Sequence, residues 1–422
     1  MTAILDTLDP LLPGLEEIYR DLHAHPELAF QEKRTADVVA RHLAERGWEV
    51  TSGVGRTGVV GVLRNGDGPV VMLRADMDAL PLKEQTGLPY ASTVTALDVD
   101  GTPVPVMHAC GHDLHVTALL GACALFAEHR DAWRGTAVAV FQPGEESGYG
   151  AREMVDDGLF RRFPVPEVIL GQHVGPGPAG LVATCPGTAM GATDSITVRL
   201  FGRGGHGSKP EACVDPVVMA ASLVLRLQTI VSRTVAPQEP VVVTVGRLRA
   251  GTTAAVIPDE AELGVNVRSV SEPARVKVIA AIERMARAEA QAADAPAPPE
   301  ITHVYHLPAT VNDQAATERV AAAHREFFGG VVTVPPVSAS EDFGILGTAS
   351  GAPSVYWFVG ATDPELYGKA FMAGRIEQDV PQNHAPTFAP AVRPTLTSAV
   401  QTLVTAALAW FAPAPADDAA GS

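Results

Sequence analysis

The order of predicted strands and helices limits the fold of this 422-residue chain more than any other feature. Short runs rich in β-branched and apolar residues, such as "PVVMLRAD", "GTAVAVFQP" and "PEVILGQH", are predicted to be strands. Segments with helical spacing of apolar residues lie between them, among them "LHVTALLGACALFAEH" and "GAREMVDDGLF". Strands that alternate with helices predict an α/β sheet whose faces are covered by helices.

The middle of the chain has a different order of elements. From about residue 191 the pattern is β-α-β-β-α-β, from "DSITVRLFG" to "EITHVYHL", which is typical of the split βαβ domain. The alternating pattern then resumes with "DQAATERVAAAHREFF" and "SVYWFVG". We therefore predict a discontinuous α/β domain, 1–190 and 308–422, with a smaller domain inserted at 191–307. The low-complexity residues 413–422 are predicted to be disordered.

Composition excludes several classes of partner. The 31 basic and 48 acidic side chains give a formal charge of −17, which argues against nucleic acid or an anionic membrane as partner. The four cysteines are too scattered for a disulfide framework. The opening "MTAILDTLDPLLPG" lacks the basic region of a signal peptide, and no apolar run reaches the length of a membrane span. We expect a cytoplasmic protein that binds neither nucleic acid nor membrane.

The nonapeptide "MHACGHDLH", residues 107–115, concentrates three histidines, a cysteine and an aspartate. A lone buried histidine or cysteine is usually an ordinary core residue. A cluster is different, because each buried polar side chain needs a partner. Cys110 and His112 offer a thiolate and an imidazole two positions apart, and both ligand types bind divalent transition metals. From this stretch alone, metal binding is only modestly favoured over a structural role.

Further candidate ligands lie at the ends of other predicted strands, where open α/β sheets form their sites. One polar strand end is expected by chance, but four strand ends that all carry an acid or a histidine are not. Of two adjacent glutamates, one can bind a metal while the other acts as a base. The residues are Asp76 and Asp78 in "RADMDALP", Glu145 and Glu146 in "FQPGEESG", His173 in "ILGQH", and His384 in "QNHAPTF".

Two matches to the pattern G-x-G-x-x-G are interpreted as turns. After Gly53, Gly55 and Gly58 a strand follows where a phosphate-binding helix should begin. The second match, at 202–207, places a histidine where phosphate-binding backbone is needed, and "SKPEACVD" separates it from the next helix. We therefore predict no nucleotide site.

Seven strings in one fixed order carry a resemblance that no single string would support. They are "RADMDALP", "MHACGHDLH", "FQPGEES", "GRGGHGSKP", "VIPDEA", "SEDFG" and "NHAPTF". The chain resembles the metal-dependent aminoacylase and carboxypeptidase superfamily, and within it the amidohydrolase branch of hippurate hydrolases, N-acyl-amino-acid hydrolases and auxin-conjugate hydrolases. The resemblance extends from "LHAHPELAFQE" to the last helix. It implies a two-metal α/β catalytic domain with an inserted split βαβ lid or dimerisation domain.

The resemblance implies that two divalent ions bind to each subunit, with the Cys110 thiolate as the bridge between them. The thiolate favours zinc, with manganese, cobalt and nickel as alternatives. Glu145 would be the general base, which takes a proton from water activated by the ions and delivers it to the leaving amine. The implied metal ligands are Cys110, His112, Glu146, His173 and His384.

The resemblance also implies roles around the ligands and in the inserted domain. Asp78, Asp76 and Asp113 would orient ligands. His206 of "GGHG", by itself a surface-loop histidine, resembles the lid-domain histidine that stabilises the oxyanion, from its own or the neighbouring subunit. Arg268 in "GVNVRS", by itself a solvated strand arginine, resembles the arginine that binds a substrate carboxylate.

The departures from the family pattern do not touch a proposed ligand or the base. Ala255 precedes "VIPD" where relatives usually have asparagine, which changes the lid side of the substrate pocket and hence the expected acyl or amino-acid specificity. Gly144 in "FQPGEE" and the glycine after His206 are smaller changes. His108 and His115 are interpreted as structural residues or supports of ligands. The cysteines at 123, 185 and 213 are interpreted as ordinary core or loop residues.

Together these features predict a homodimeric enzyme that hydrolyses the amide bond of an N-acyl amino acid. A metallo-dipeptidase or carboxypeptidase is the alternative, since fold does not separate these activities. A cysteine-nucleophile amidase based on Cys110 would leave Glu146, His173 and His384 unexplained. A zinc deaminase would need a P-C-x-x-C sequence, which the chain lacks. A non-catalytic amino-acid or peptide-binding protein would be expected to have lost Glu145 or a ligand.

Overall fold

The computed structural model describes residues 2–413, which form two compact units. Unit 1 comprises residues 2–189, 311–335 and 342–413, and unit 2 comprises Met190–Thr310 and Pro336–Glu341. Apart from residue 413, the predicted disordered tail lies outside the described residues.

The predicted domain boundaries differ from these units mainly at one segment. We predict 336–341 in the larger domain, whereas the segment lies in unit 2. There the backbone N–H of Gly191 donates to the carbonyls of Val337 (3.0 Å) and Ala339 (2.9 Å), and this hydrogen bonding holds the segment in the smaller unit.

Strands and helices are numbered in chain order. The strands are β1 (Glu49–Val54), β2 (Gly58–Asn65), β3 (Val70–Asp76), β4 (Thr95–Leu97), β5 (Pro103–Pro105), β6 (Gly135–Gln142), β7 (Val168–Pro178), β8 (Val182–Thr184), β9 (Gly187–Met190), β10 (Ala192–Phe201), β11 (Gly205–His206), β12 (Val241–Ala250), β13 (Val256–Ile257), β14 (Glu260–Ser269), β15 (Glu300–Leu307), β16 (Thr310–Asn312), β17 (Val332–Thr333) and β18 (Ser354–Thr362). The helices are α1 (Thr2–Leu5), α2 (Leu12–Ala24), α3 (Lys33–Ala44), α4 (His112–Glu128), α5 (Gly150–Asp156), α6 (Leu159–Arg162), α7 (Pro216–Arg233), α8 (Glu272–Ala292), α9 (Gln314–Phe328), α10 (Gly344–Ser350), α11 (Pro364–Met372), α12 (Ile376–Asp379) and α13 (Val392–Leu408).

Unit 1 is built on an eight-stranded sheet in the order β1-β2-β6-β3-β7-β18-β8-β17. The four central strands β6, β3, β7 and β18 are parallel to one another. They are largely buried, as expected for strands covered by helices on both faces. Because parallel strands end at the same edge of a sheet, the residues that follow β3 and β6 are brought close together.

Helix α4 is enclosed in the core of unit 1. Every residue from His112 to Phe126 is buried, and the helix packs against α2, α13 and β3. Its apolar residues occupy all faces, which is the pattern of an enclosed helix rather than a surface one. Gly111, in the left-handed conformation with φ 83°, directly precedes the helix. The first turn therefore begins with two buried polar residues, His112 and Asp113.

Unit 2 contains a four-stranded sheet in the order β12-β14-β10-β15, with all neighbours antiparallel. Along the chain these are the second, third, first and fourth strands of a β-α-β-β-α-β series, which is the topology of the split βαβ fold. Residues along β10 and β14 alternate in burial, so one face of the sheet packs against α7 and α8.

Among the described helices, α7 alone is apolar and long enough to cross a membrane by length and composition, with a mean hydropathy of 1.2 over 18 residues. One face, which includes Met219, Leu223 and Leu227, is buried in the core of unit 2. The opposite face leaves Val218 65% and Leu225 73% exposed. The helix is therefore a core helix of unit 2 with an apolar outer face.

Candidate metal centre and active site

The turn before α4 places Cys110 and His112 together. A Cβ atom on Gly111 would lie 2.4 Å from Cγ2 of Val174, so only glycine fits between the two residues. Nδ1 of His112 is 2.9 Å from the Asp78 carbonyl oxygen, to which it donates. That hydrogen bond places the proton on Nδ1 and leaves the Nε2 lone pair for a metal ion.

Glu145 and Glu146 lie in the loop that follows β6. Asp78, after β3, accepts hydrogen bonds from the backbone N–H groups of both glutamates, at 3.0 Å on Oδ1 and 2.9 Å on Oδ2. Nε2 of His112 lies 3.9 Å from a carboxylate oxygen of each glutamate. Asp78 therefore contacts a ligand, His112, and also the loop that carries the acidic pair.

His173 reaches the same place from β7. The predicted strand ends at this residue, whereas β7 continues to Pro178. Nδ1 of His173 is 2.7 Å from the carbonyl oxygen of Val174, and Nε2 is 3.5 Å from the sulfur of Cys110. As at His112, the Nδ1 hydrogen bond leaves Nε2 directed at the centre of the site.

His384 completes the group from the C-terminal part of the chain. We predict a loop after the strand β18, and His384 does lie in a loop, with α11 and α12 between that strand and the loop. Nε2 of His384 lies 3.2 Å from the sulfur of Cys110 and 3.2 Å from Oε1 of Glu146. The preceding Asn383, which the sequence analysis missed, donates to the carbonyls of Cys110 (3.2 Å) and Val174 (3.1 Å).

Two potential ligand groups share Cys110. The ligand atoms of Cys110, His112 and His173 all lie within 4.8 Å of one another, and so do those of Cys110, Glu146 and His384. Nε2 of His112 is a buried atom without a hydrogen-bond partner in the described chain. Such an atom is costly to bury unpaired, and a metal ion would satisfy it. The sulfur, nitrogen and oxygen donors therefore fit two divalent ions bridged by a thiolate.

The electrostatics of the site also favour a cation. Burial and Glu146 raise the pKa of the Cys110 thiol. Burial alone would lower the pKa of His112, but Asp76, Asp78 and Cys110 raise it well above its usual value. Hydrogen bonds with Cys110 and Glu146 raise the pKa of His384 to about 10. Acidic groups thus stabilise positive charge here, and bound metal would replace protons at these ligands.

A third group close enough to hold an ion contains Asp76, His112 and His115, but both ring nitrogens of His115 are already engaged. Its Nδ1 lies 2.6 Å from Oδ1 of Asp76, and its Nε2 accepts the N–H of Val174 at 2.9 Å. Asp76 also accepts from the buried Arg74, at 2.6 Å. Asp76 and His115 therefore connect α4 to β3 and β7 beside the ligands.

Asp113 is placed differently from the prediction that it orients a ligand. Its carboxylate accepts from His23 Nδ1 at 2.7 Å and from the N–H of Leu114 at 2.9 Å. No metal ligand is among its hydrogen-bond partners in residues 2–413. His23 belongs to "LHAHPE", and no local pattern indicates its partner, because Asp113 is 90 residues away.

His206 lies in unit 2, exposed on the short strand β11. Its Nδ1 accepts the N–H of Ser208 at 3.1 Å, so the neutral ring carries its proton on Nε2 and can donate it outward. The carbonyl of Ala255 accepts the N–H of Gly207 at 2.8 Å. The position of the missing asparagine is therefore next to the His206 loop.

Arg268 lies on β14 of the same unit and is half-buried. Its Nε donates to Asn266 at 3.1 Å and its Nη1 to Ser340 at 3.0 Å. In the described residues it forms no ion pair with a carboxylate, so the rest of its guanidinium can receive one.

Both the sequence and the fold of the chain are similar to those of proteins of known family. Residues 72–370 match the model of peptidase family M20/M25/M40. The chain is 39% identical over 351 residues to a hippurate hydrolase of Campylobacter jejuni, a match that covers 82% of this chain and 88% of the relative. It is 38% identical over 309 residues to an N-acetylcysteine deacetylase of Bacillus subtilis, covering 72% and 78%. A crystal structure of a Bacillus subtilis dinuclear metal-binding peptidase superimposes with a TM-score of 0.76 at 30% identity, covering 95% of this chain and 98% of that one.

Proposed function

The chain belongs to peptidase family M20/M25/M40 and is a hydrolase of amide bonds, and we propose that its substrate is an N-acyl amino acid. The observation that carries the proposal is the pair of ligand groups that share Cys110, with Glu145 beside them. The named activities of the hippurate hydrolase and the N-acetylcysteine deacetylase support this substrate class.

In this proposal Cys110, His112 and His173 hold one divalent ion, and Cys110, Glu146 and His384 hold the other. When bound, the ions acidify water and polarise the amide carbonyl. Zinc fits a thiolate ligand best, and manganese, cobalt and nickel accept the same donors.

Glu145 is proposed to be the general base and then the general acid. Its carboxylate lies within 4 Å of the ligand His112, whereas its backbone N–H is fixed by Asp78. A carboxylate held here can take a proton from the attacking water and pass it to the departing nitrogen. Because Asp78 accepts the backbone N–H of each glutamate, the positions of both residues are fixed, and the two glutamates can have separate roles.

Two residues of unit 2 are proposed to contact the substrate. The Nε2–H of His206 would stabilise the oxyanion, and the preset tautomer supports this role. Arg268, which has no carboxylate partner in the described chain, would bind the carboxylate of the amino acid. Ala255, whose carbonyl binds the His206 loop, would influence which acyl group is accepted.

A peptidase activity is the second candidate, because the similar structure from Bacillus subtilis is named a peptidase. The two activities differ in whether the substrate carries a free amino group next to the cleaved bond. A cysteine nucleophile is disfavoured, since burial raises the pKa of the Cys110 thiol and a nucleophilic cysteine needs a lowered pKa.

A homodimer that pairs through unit 2 and a cytoplasmic location are also proposed. The exposed apolar side chains on α7 and on the edge strand β12 support the homodimer.

The cytoplasmic location is supported by the four free cysteines, as expected in a reducing compartment.

The test is release of amino acid from hippurate, N-acetylcysteine and matched dipeptides, with the protein loaded with zinc or manganese. We expect turnover of acylated substrates that a chelator abolishes. Glu145→Gln should lower kcat by about a thousandfold or more while the protein still binds two ions. The adjacent Glu146→Gln is the matched control, because it should instead lower the metal content. Turnover that survives complete metal removal would contradict the proposal.

A further inference from the structure

The motif "LHAHPELAFQE" takes no part in the proposed chemistry, yet its last residue reaches the loop that carries the base. Glu32 is completely buried, at 0% exposure. Its Oε1 accepts the N–H of Phe30 at 2.8 Å and that of Gly144 at 2.9 Å, and its Oε2 accepts the hydroxyl of Thr57. No basic side chain forms an ion pair with it in residues 2–413.

Three consecutive backbone N–H groups of the loop donate to two buried carboxylates. The N–H of Gly144 donates to Glu32, and those of Glu145 and Glu146 donate to the two oxygens of Asp78. Each hydrogen bond fixes the orientation of one peptide plane. Glu32 therefore controls the peptide between residues 143 and 144, and Asp78 controls the two peptides that flank Glu145.

Gly144 makes such a restraint necessary. Its φ is 59°, in the left-handed region, and glycine has more conformational freedom to lose than any other residue. A Cβ at this position would lie 2.6 Å from the ring of Phe30, so the ring packs directly against the glycine backbone. The same short segment, 30–32, thus holds Gly144 by contact and by a hydrogen bond.

A buried carboxylate without a cation is costly to the fold. Burial and the nearby Asp78 raise the pKa of Glu32 to about 7, which reflects that cost. An apolar side chain would be cheaper here for stability alone, so the hydrogen bond to the loop is the feature that calls for an acceptor at this position.

We propose that Glu32 is a positioning residue, which fixes the peptide between residues 143 and 144 and thereby holds the loop that carries the base, Glu145, at its working position. The inference rests on the proposed function of Glu145. It predicts that the hydrogen-bond acceptor matters and that the negative charge does not. Glutamine can keep all three bonds, with Oε1 accepting both N–H groups and Nε2 donating to Thr57. Alanine removes the acceptor, and aspartate withdraws it by one methylene.

The experiment compares Glu32→Ala, Glu32→Asp and Glu32→Gln with a matched control, Glu27→Ala. Glu27 belongs to the same motif and also accepts two backbone N–H groups, from Arg34 (3.0 Å) and Thr35 (2.8 Å), but these lie in α3. For each variant, kcat, KM, metal content and thermal stability are measured. Hydrogen exchange of the peptide that covers 143–147 is followed as a readout that does not depend on turnover.

We expect Glu32→Ala and Glu32→Asp to lower kcat by about 10- to 100-fold with KM nearly constant and two ions bound. Exchange at 143–147 should become faster in both. Glu32→Gln should stay within about threefold of the wild type. Glu27→Ala should lower stability without changing kcat or exchange at 143–147. If the alanine variant does not fold, the aspartate variant supplies the comparison.

Equal losses of kcat in Glu32→Gln and Glu32→Ala would overturn the inference, because the charge would then be what matters. Unchanged exchange at 143–147 in Glu32→Asp would overturn it as well. Absence of turnover in the metal-loaded wild-type protein would contradict the proposed function instead, and the exchange comparison would still decide the role of Glu32.

Discussion

His23 is a buried cation between two acids. Its Nδ1 is 2.7 Å from Asp113 and its Nε2 is 3.1 Å from Glu84, and the side chain is 0% exposed. Burial alone would lower its pKa, but hydrogen bonds to Asp113 and Glu84 raise it to about 10. The adjacent Tyr19 and Tyr90 have raised pKa values and stay neutral in this range. His23 is therefore charged in the folded protein at neutral pH.

This charge makes stability fall at alkaline pH. The folded-state pKa of about 10 lies above the ordinary value of 6.5, so the stabilisation is complete below pH 6.5 and is lost as the pH rises through 10. We expect the free energy of unfolding of the wild type to decrease between pH 7 and 10. His23→Gln should lose about 3–5 kcal/mol at pH 7 and lack this decrease.

Urea unfolding at three pH values between 6.5 and 10 measures both effects. His25→Gln is the matched control, because His25 lies in the same motif but is half-exposed and pairs only with Asp21 at 3.4 Å. An equal alkaline decrease in His23→Gln and the wild type would show that other groups cause it.

The candidate ligands that the structure brings together, and Asp78, could be predicted from the sequence, whereas Asn383 and Glu32 could not. Cys110, His112 and the acidic pair stand in distinctive strings, and metal chemistry restricts which residue types can serve. Asn383 and Glu32 act through hydrogen bonds to backbone groups, which any sequence offers at every position. Gly144 is 112 residues from Glu32, and no local pattern records such a contact. The error at Asp113 has the same origin, since its partner His23 is distant in sequence.

At the scale of elements, the turn before α4 depends on Gly111. Its φ is 83°, and a Cβ would lie 2.4 Å from Val174. Gly111→Ala should therefore force the turn to shift, with a loss of about 2–4 kcal/mol in stability and weaker metal binding through displaced Cys110 and His112. Chemical unfolding and metal titration measure the two effects.

Gly87→Ala separates the steric effect from the backbone effect. Gly87 also has a left-handed φ, 72°, but a Cβ there would meet nothing within 4 Å. We expect it to cost only about 1 kcal/mol and to leave metal binding unchanged. Equal effects of the two substitutions would mean that the contact with Val174 is not what restricts the turn.

Elements with strong periodicity could be predicted, whereas those decided by tertiary pairing could not. Strand β7 continues through "VGPGP", whose glycines and prolines disfavour a strand, because β18 pairs with it as far as Pro178. The short helices α11 and α12 are mostly exposed and interrupted by glycine, so they lack the apolar period of a core helix. No sequence pattern therefore indicates the two helices between β18 and His384.

At the scale of the molecule, the insertion could be predicted because the β-α-β-β-α-β series differs from the alternating pattern on both sides. The assignment of 336–341 to unit 2 could not be predicted, because a segment of six residues is too short to show a helical or strand periodicity. The same topology leaves β12 and β15 as the two edge strands of unit 2, and they differ in chemistry. Edge β12 is the sequence "VVVTVGRLRA", whereas β15 is "EITHVYHL".

The edge formed by β12 and α7 is the proposed surface of dimerisation. Val242 on β12 is 48% exposed, and Leu225 on the adjacent α7 is 73% exposed. An open edge strand beside an apolar helix can pair with the same edge of a second copy in a two-fold interface, which extends the sheet. Val304 on the other edge strand, β15, is similarly exposed, at 52%, but β15 is not part of the proposed interface.

We expect the wild-type protein to be a dimer in light scattering at micromolar concentration, and Val242→Glu combined with Leu225→Glu to be a monomer. The two glutamates would add charge to the edge strand and to the helix that the interface is proposed to cover, and charge buried without a partner is costly. Val304→Glu, which adds the same charge at the other edge, should remain a dimer. Circular dichroism should show that all variants are folded. A monomer produced by Val304→Glu alone would place the interface at β15 instead.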